Sequence, residues 1–474
     1  MQTDSKVVLF EQTPIPKAVA QLAVPTVLSS LVMVIYNLAD TFFVGMLNDP
    51  VQNAAVTLAA PVLLAFNAIN NLFGVGSSSM MSRALGRKDY ETVWRSSAFG
   101  FYCALICGAL FSLACTVFQS PLLTILGADS VTTEATAAYM NWTVSFGAVP
   151  AILNVVLAYL VRSEGAALHA SIGTMSGCIL NIILDPFFIL PWGLNMGAGG
   201  AGLATFLSNC VACLYFFVLL FVKRGRTYVC INPKKFVLKK DIVTGVCAVG
   251  IPASIQNLLN VTGMTILNNF TSAYGADAVA AMGICQKIYM VPMYVSQGIS
   301  QGIMPLISYN FSSGNVPRMK HTISFSRKAA LTIIISVAAL FFLFPGTFVE
   351  MFMKNETIIE YGSHLLRGFC LGLPFLSIDF LAVGVFQAVG MGRESFLFAI
   401  LRKIILEIPA LFILNAVFGL YGLCYAQFTA EVILAIAAIL VLKKLFRRLE
   451  KEGTGLQAPS EKLLSKRKKA TNHK

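Results

Sequence analysis

Residues 18–45 read AVAQLAVPTVLSSLVMVIYNLADTFFVG, a run with one ionisable group, Asp40. About 20 apolar residues suffice for a helix to cross the hydrocarbon of a bilayer. Runs of the same kind recur near 54–82, 95–118, 134–161, 168–191, 198–222, 241–270, 277–310, 328–350, 357–388, 396–416 and 421–447. Twelve crossings are therefore expected. Backbone facing lipid must satisfy its hydrogen bonds within its own segment, so the crossings are helices. Strands of a membrane barrel would alternate apolar and polar residues instead. Composition agrees: of 474 residues 57% are hydrophobic and 12% charged, against roughly a quarter charged in soluble chains. The first 17 residues are polar, and the run that follows lacks a small-residue cleavage site, so it reads as a retained first span.

The formal charge of +13 is not spread evenly. Thirty-two of the 35 basic residues fall on the N-terminal side of the alternating spans if Arg162, Arg402 and Lys403 are counted in its turns. Lys354 is the one basic residue in the opposite loops. Basic loops stay in the cytoplasm, which puts both termini there in a plasma-membrane protein. The excess then orients the chain against anionic lipid, and nucleic acid is not expected as a partner. The organisation expected is a cytoplasmic N-terminus at 1–17, a first lobe at 18–222, a linker at 223–240, a second lobe at 241–448 and a disordered basic tail at 449–474. A monomer is expected.

The halves repeat. Pro25 opens the first span and Pro252 the seventh, 227 positions later. Gly86-Arg-Lys-Asp is answered by Ser312-Ser-Gly-Asn, Arg162-Ser-Glu-Gly by Gln387-Ala-Val-Gly, Leu184-Asp-Pro by Glu407-Ile-Pro, and Gly202-Leu-Ala-Thr by Gly422-Leu-Cys-Tyr. Two six-helix halves in the same orientation form a parallel repeat, an all-α plan on which transporters seat substrate between bundles that rock.

Ionisable residues inside a membrane are costly and point to function. Asp40, Asp185 and Thr205 lie at similar depth in the outer part of the first half. Asn181 is one turn from Asp185, Tyr36 and Asn37 flank Asp40, and Asn154 extends the set. Two carboxylates with amide and hydroxyl oxygens suit Na⁺, or a proton shared between acids in a poor solvent. The alternative is a polar network that only holds helices together. In the second half Gln256, Lys287, Asp379 and Glu407 are candidates for a polar site. Lys287, Arg367 and Glu407 have depths suited to a buried ion pair. Tyr36, Tyr289, Met290, Met293 and Gln297 are candidates for substrate lining, being soft, adaptable surfaces; ordinary packing is the alternative. The eleven cysteines are scattered, and Cys210 and Cys213 lack a second pair, so neither disulfides nor a metal is expected. No cofactor is expected beyond Na⁺.

The chain resembles the multidrug and toxic compound extrusion (MATE) transporters over nearly its whole length. The resemblance rests on Pro25 with Asp40 and Val44-Gly45, Arg162-Ser-Glu-Gly, Asn181-Ile-Ile-Leu-Asp-Pro-Phe-Phe-Ile, Gly197-Ala-Gly-Gly-Ala-Gly-Leu-Ala-Thr, Pro252 with Gln256-Asn257, and Gln301-Gly with Pro305. It implies an antiporter, not an enzyme, that exports amphipathic organic cations in exchange for H⁺ or Na⁺. It also implies a cation site at Asp40, Asn181, Asp185 and Thr205, with Asn154 as a fifth member. A lipid-linked precursor flippase shares the broader architecture, but arginines are expected in its cavity where this first half presents acids. An intramembrane aspartyl protease needs a GxGD motif that neither aspartate has. No GxxxxGK[ST] is present for an ATP-driven pump.

The charge partition predicts topology. With native cysteines removed, a cysteine at Asn48, Asp129 or Asn195 should react with an impermeant thiol reagent from outside, and one at Lys88 or Lys235 should not. Reversed labelling would invert the orientation.

Overall fold

The computed structural model describes residues 5–451; the tail expected to be disordered lies, from Glu452 on, outside them. The twelve spans are Ile15–Gly45, Pro50–Gly86, Tyr90–Val117, the bent pair Thr133–Phe146 and Ala148–Ser163, Ala167–Ile189, Gly197–Val222, Lys240–Ser272, Ala276–Ser312, Val316–Leu343, Glu356–Val389, the three-part Gly392–Ile400, Leu401–Glu407 and Ile408–Phe418, and Gly422–Lys451. They are numbered 1 to 12 below. Among the described residues there is no strand. Nine of the helices are long and apolar enough to cross a membrane, and the bent pair makes a tenth. Large apolar side chains stand on outward faces: Leu110, Leu113 and Val117 of span 3 recur at helical spacing and are all at least 60% exposed. In water such a surface would aggregate; in lipid it is solvated.

Three spans depart from the α-helix at defined places. Short π-helical turns occupy Asn71–Val75 in span 2, Asn141–Phe146 in span 4 and Leu401–Glu407 in span 11. The wider i→i+5 turn often marks functional positions. Span 4 bends by 49° at Gly147, just before Pro150, which has no N–H to return to the Phe146 carbonyl.

One apolar core fills the first half and continues into the second at the end that carries the N-terminus. It joins Leu22 and Met81 to Val246, Leu306, Tyr309 and Val385. A second core belongs to the other end of the second half, with Val27 and Leu31 of span 1 packed against it. The described hydrogen bonds between the halves lie between mid-membrane and the N-terminal end. Ser79 donates to the Gln387 carbonyl at 2.5 Å, and Ser254 to the Ala68 carbonyl at 2.5 Å. Gly250 lets span 7 approach span 2 so closely that a Cβ there would meet the Leu72 carbonyl oxygen at 2.0 Å. The halves are thus joined from the N-terminal end to mid-membrane.

The structure corrects several expectations. The polar N-terminus contains a helix, Ser5–Glu11, that docks on both halves. Phe10 is fully buried and stacks on Tyr309 with ring centroids 4.8 Å apart. Tyr309 donates to Glu11 at 2.6 Å, Arg318 donates to the Phe10 carbonyl at 2.6 Å, and Lys6 pairs with Glu164 at 2.7 Å. Span 9 starts at Val316, a dozen residues before the apolar run, because Asn315 caps it by accepting from the Arg318 N–H. Arg162, Arg402 and Lys403, counted above with the basic turns, are buried inside spans 4 and 11. Acids beside Arg402 and Lys403, and a polar cavity beside Arg162, are features that a hydropathy profile does not register.

Gly250→Val should strain the joined end. Overpacking costs about 1–3 kcal/mol, and about 1.4 kcal/mol is a tenfold change in a population. A cysteine at Ser79 should then react with a thiol reagent from the N-terminal side about tenfold faster than with Gly250 intact. An unchanged rate would mean that this contact does not hold the halves together.

Candidate functional site

Span 5 carries Gly173, Gly177, Asn181 and Asp185 on one buried face, each four residues from the last. The glycines let span 6 come close: a Cβ at Gly173 would meet Phe216 at 2.4 Å, and one at Gly177 would meet Ala212 and Ser208 at 3.1 and 3.2 Å. Small residues facing one another are how membrane helices pack tightly. The packing brings Asn181 against Thr205. With its amide turned to satisfy its neighbours, Asn181 donates to Asp185 Oδ2 at 2.9 Å and accepts from the Thr205 N–H at 3.1 Å and hydroxyl at 3.3 Å.

Span 1 supplies Tyr36 and Asp40, one turn apart. Asp40 lies within electrostatic reach of Asp185, and Tyr36 faces Thr205. Asp185 is fully buried and Asp40 partly so. Each has one carboxyl oxygen, Oδ1, that is buried without a hydrogen-bond partner. The structure therefore brings Asp40, Asn181, Asp185 and Thr205 together. Asn154 stands beside them and donates to Asn209 of span 6 at 2.9 Å, one turn beyond Thr205, without a bond to either aspartate. Two members escaped the sequence reading. Tyr139, buried in span 4, lies within electrostatic reach of both acids. Asn209 sits one turn from Thr205, the same spacing that pointed to Asn181.

The second half is built differently. Arg402 in the π-helical turn of span 11 lies between Asp379 of span 10, at 3.5 Å, and Glu431 of span 12, at 2.5 Å. It also stacks on Phe380, 5.2 Å from the ring centroid. Lys403 pairs with Glu407 one turn on, at 2.6 Å. The expected grouping of Lys287, Arg367 and Glu407 is not found. Lys287 and Arg367 are exposed, and Arg367 lies over Phe342. Depth alone placed them together; the faces of their helices separate them. Glu431 was missed, although an acid inside span 12 satisfied the criterion used for the others. Tyr289 is buried and accepts from Gln427 at 2.6 Å. Met290 and Met293 are half-buried.

A cavity of about 70 Å³ lies between the halves, lined among others by Gln256, Gln297 and Gln387 from the second half and by Tyr159 and Arg162 from the first. Arg162 corrects the expectation that the first half presents only acids.

Comparison with known proteins decides the family. The MatE family model matches twice, at residues 25–187 and 252–413. The chain belongs to the MatE family. The two matches begin on Pro25 and Pro252, the prolines that mark the repeat. Among curated MATE relatives, the multidrug export protein MepA of Staphylococcus aureus strain MRSA252 is 34% identical over 455 residues, covering 94% of this chain and 97% of that one. The MepA of Staphylococcus haemolyticus is 33% identical over the same shares. A solved structure described as the outward-facing conformation of a multidrug resistance MATE family transporter superposes with a TM-score of 0.89 at 27% identity, covering 95% of this chain and all of that one. A MOP superfamily transporter from Pyrococcus furiosus, described as having a binding pocket of reverse polarity, has a TM-score of 0.87 at 26% identity, over the same shares.

The ion pairs of the second half predict a stability effect. Arg402→Met leaves Asp379 and Glu431 buried without their cation, and breaking a buried pair costs about 3–5 kcal/mol. The purified variant should unfold at a clearly lower temperature in detergent, and adding Asp379→Asn with Glu431→Gln should restore most of the loss. A melting temperature equal to the parent's would show that the two acids do not depend on Arg402.

Proposed function

We propose that this chain is a cation-coupled multidrug antiporter of the bacterial plasma membrane, with both termini in the cytoplasm. The observation that carries the reading is the pair Asp40 and Asp185. They share one site in the first half, and each has a buried oxygen without a partner. A proton or Na⁺ entering there binds to spans 1, 5 and 6 together. An organic cation drawn to the same acids, with Tyr36 beside them, competes with it. The identity to MepA over nearly the full chain supports drugs as the substrate class. Joined ends at the N-terminal side, with the basic turns, support a form open to the outside, ready to release drug and admit the ion.

The proton is the better-supported ion. A Na⁺ ion needs several oxygens, whereas the side-chain oxygen of Asn181 is engaged by Thr205 and its N–H by Asp185. That leaves free carboxylate oxygens on both acids, enough for a proton. Reversal of the Asn181 amide would free a further oxygen and favour Na⁺. In either case the coupling needs no contact between ion and drug, only a different affinity for each packing of the spans. Moving a population from mostly one state to mostly the other takes about 5.5 kcal/mol of differential binding.

In proteoliposomes loaded with ethidium, a pH gradient should drive export by the parent, and a Na⁺ gradient alone should not. Asp40→Asn and Asp185→Asn should each lower gradient-driven export at least tenfold while inserting normally, since removing a charge eases its burial. Near-normal export by both variants would leave the acids as structural glue. Export driven by Na⁺ alone would identify Na⁺ as the coupling ion.

A further inference from the structure

Arg162 is the one buried cation described in the spans with no acid paired to it. It lies in the last turn of span 4 at 7% exposure. Helical side chains lean toward the helix N-terminus, so this one leans away from the membrane surface and into the cavity between the halves. Its ring neighbour is Tyr159, 5.5 Å away, and its Nε is buried without an acceptor. No residue lining the cavity is acidic. The nearest acid in sequence, Glu164, is taken by Lys6 and by the Thr227 hydroxyl and Tyr228 N–H. Around Arg162 stand neutral amides: Gln256, Gln297, Gln301 and Gln387. Amides can turn their N–H groups toward an anion. A guanidinium with no acid beside it, facing amides that can present their N–H groups, leaves room for an anionic acceptor where hydrocarbon cannot solvate it.

We propose that this cavity binds an oxyanion, the carboxylate or phosphate group of an amphiphile, on the Arg162 fork. Planar guanidinium matches both groups with two parallel hydrogen bonds. The size selects a head group: about 70 Å³ is far below the ~300–1,000 Å³ of a pocket that encloses a drug. The rest of the molecule extends into the space between the halves. Because spans 2 and 4 line one side and spans 7, 8 and 10 the other, the bound group bridges the halves and favours the form joined at the N-terminal end. Arg162 and Gln387 open the two matching segments Arg162-Ser-Glu-Gly and Gln387-Ala-Val-Gly, so the repeat places a cation and a neutral amide at equivalent positions facing one cavity. This site is distinct from the paired aspartates. Equilibrium binding to it needs no gradient, so its failure leaves the antiport reading untouched.

The test uses the full chain in nanodiscs of zwitterionic lipid, titrated with a dansyl-tagged undecanoate and with the carboxamide of the same compound. The acid should bind at least tenfold more tightly than the amide. Arg162→Gln should abolish that preference while amide binding, the control for folding, stays as in the parent. Arg162→Lys should keep part of it, since the ammonium retains charge but not the fork. If Arg162→Gln does not fold, Gln256→Leu with Gln297→Leu should weaken the acid several-fold and spare the amide. A second set of discs containing phosphatidylglycerol separates the sources. Weaker acid binding there, in the parent but not in Arg162→Gln, assigns the site to lipid phosphate; unchanged binding assigns it to free amphiphiles. Equal affinity for acid and amide in the parent, or an acid preference that survives Arg162→Gln, overturns the proposal.

Discussion

Hydrocarbon gives a buried charge nothing to bind, and that constraint organises the interior of this protein. Each ionisable group carried inside is answered in one of three ways. In the second half the answer is an opposite charge, with Arg402 between Asp379 and Glu431 and Lys403 on Glu407. At the outer end of the first half the Asn181 amide, held by Thr205, answers Asp185, and Asp40 and Asp185 each keep a buried oxygen without a partner. Between the halves it is a set of neutral amides around a lone guanidinium. The first solution is closed and suits a scaffold. The other two are open and suit sites that must gain and lose a ligand.

The same repeat produces all three because local backbone, not overall shape, places the polar groups. Gly165 and Gly390 end spans 4 and 10 with φ of +88° and +81°, in the left-handed region that favours glycine. The halves therefore share their turns. Their chemistry parts inside the helices. The π-helical turn of span 11 bears Arg402, Lys403 and Glu407, and that of span 2 contributes Asn71 and Val75 to the cavity lining. A wider turn shifts the facing of every residue after it relative to an ideal helix, which is how a polar group can leave the lipid face without a break in the span.

This explains what could and could not be read from the sequence. Twelve spans and the repeat follow from apolar run length and from spaced prolines and glycines, properties local to each segment. The first-half site was legible because its members come in turn-spaced pairs, Asn181 with Asp185 and Tyr36 with Asp40, at one depth. The second half defeated the same reasoning. Depth is one coordinate, and pairing needs the azimuth of each helix as well. Lys287 and Arg367 share a depth with Glu407 but face elsewhere, while the π-helical turn rotates Arg402 and Lys403 inward. The helix Ser5–Glu11 was hidden for another reason. Its one buried aromatic, Phe10, finds its stacking partner in Tyr309, some three hundred residues away.

That helix bears on how the molecule can move. Two halves that share an apolar core at one end cannot rock apart without exposing it or breaking the polar contacts beside it. The Ser5–Glu11 segment adds to those contacts by touching both sides, Glu164 of the first half through Lys6 and Tyr309 of the second through Glu11 and Phe10. A segment so placed is bound more firmly when the halves are together than when they are parted, so it stabilises the joined form by whatever part of that contact is lost on opening. On the proposed antiport reading, an ion at the paired aspartates would act on the same equilibrium from the opposite end of spans 1, 5 and 6. On that reading the barrier to opening is set at the joined end and the bias toward opening at the acids. Span 1 connects them physically. Its first half packs in the shared core through Ala18, Leu22 and Ala23, and Val27 and Leu31 pack against the second half's own core. Its last third turns Tyr36 and Asp40 to the candidate ion site. On the proposed reading a change in the facing of Asp40 on ion binding is taken up within this one helix, in whose interior Pro25 lacks a backbone N–H.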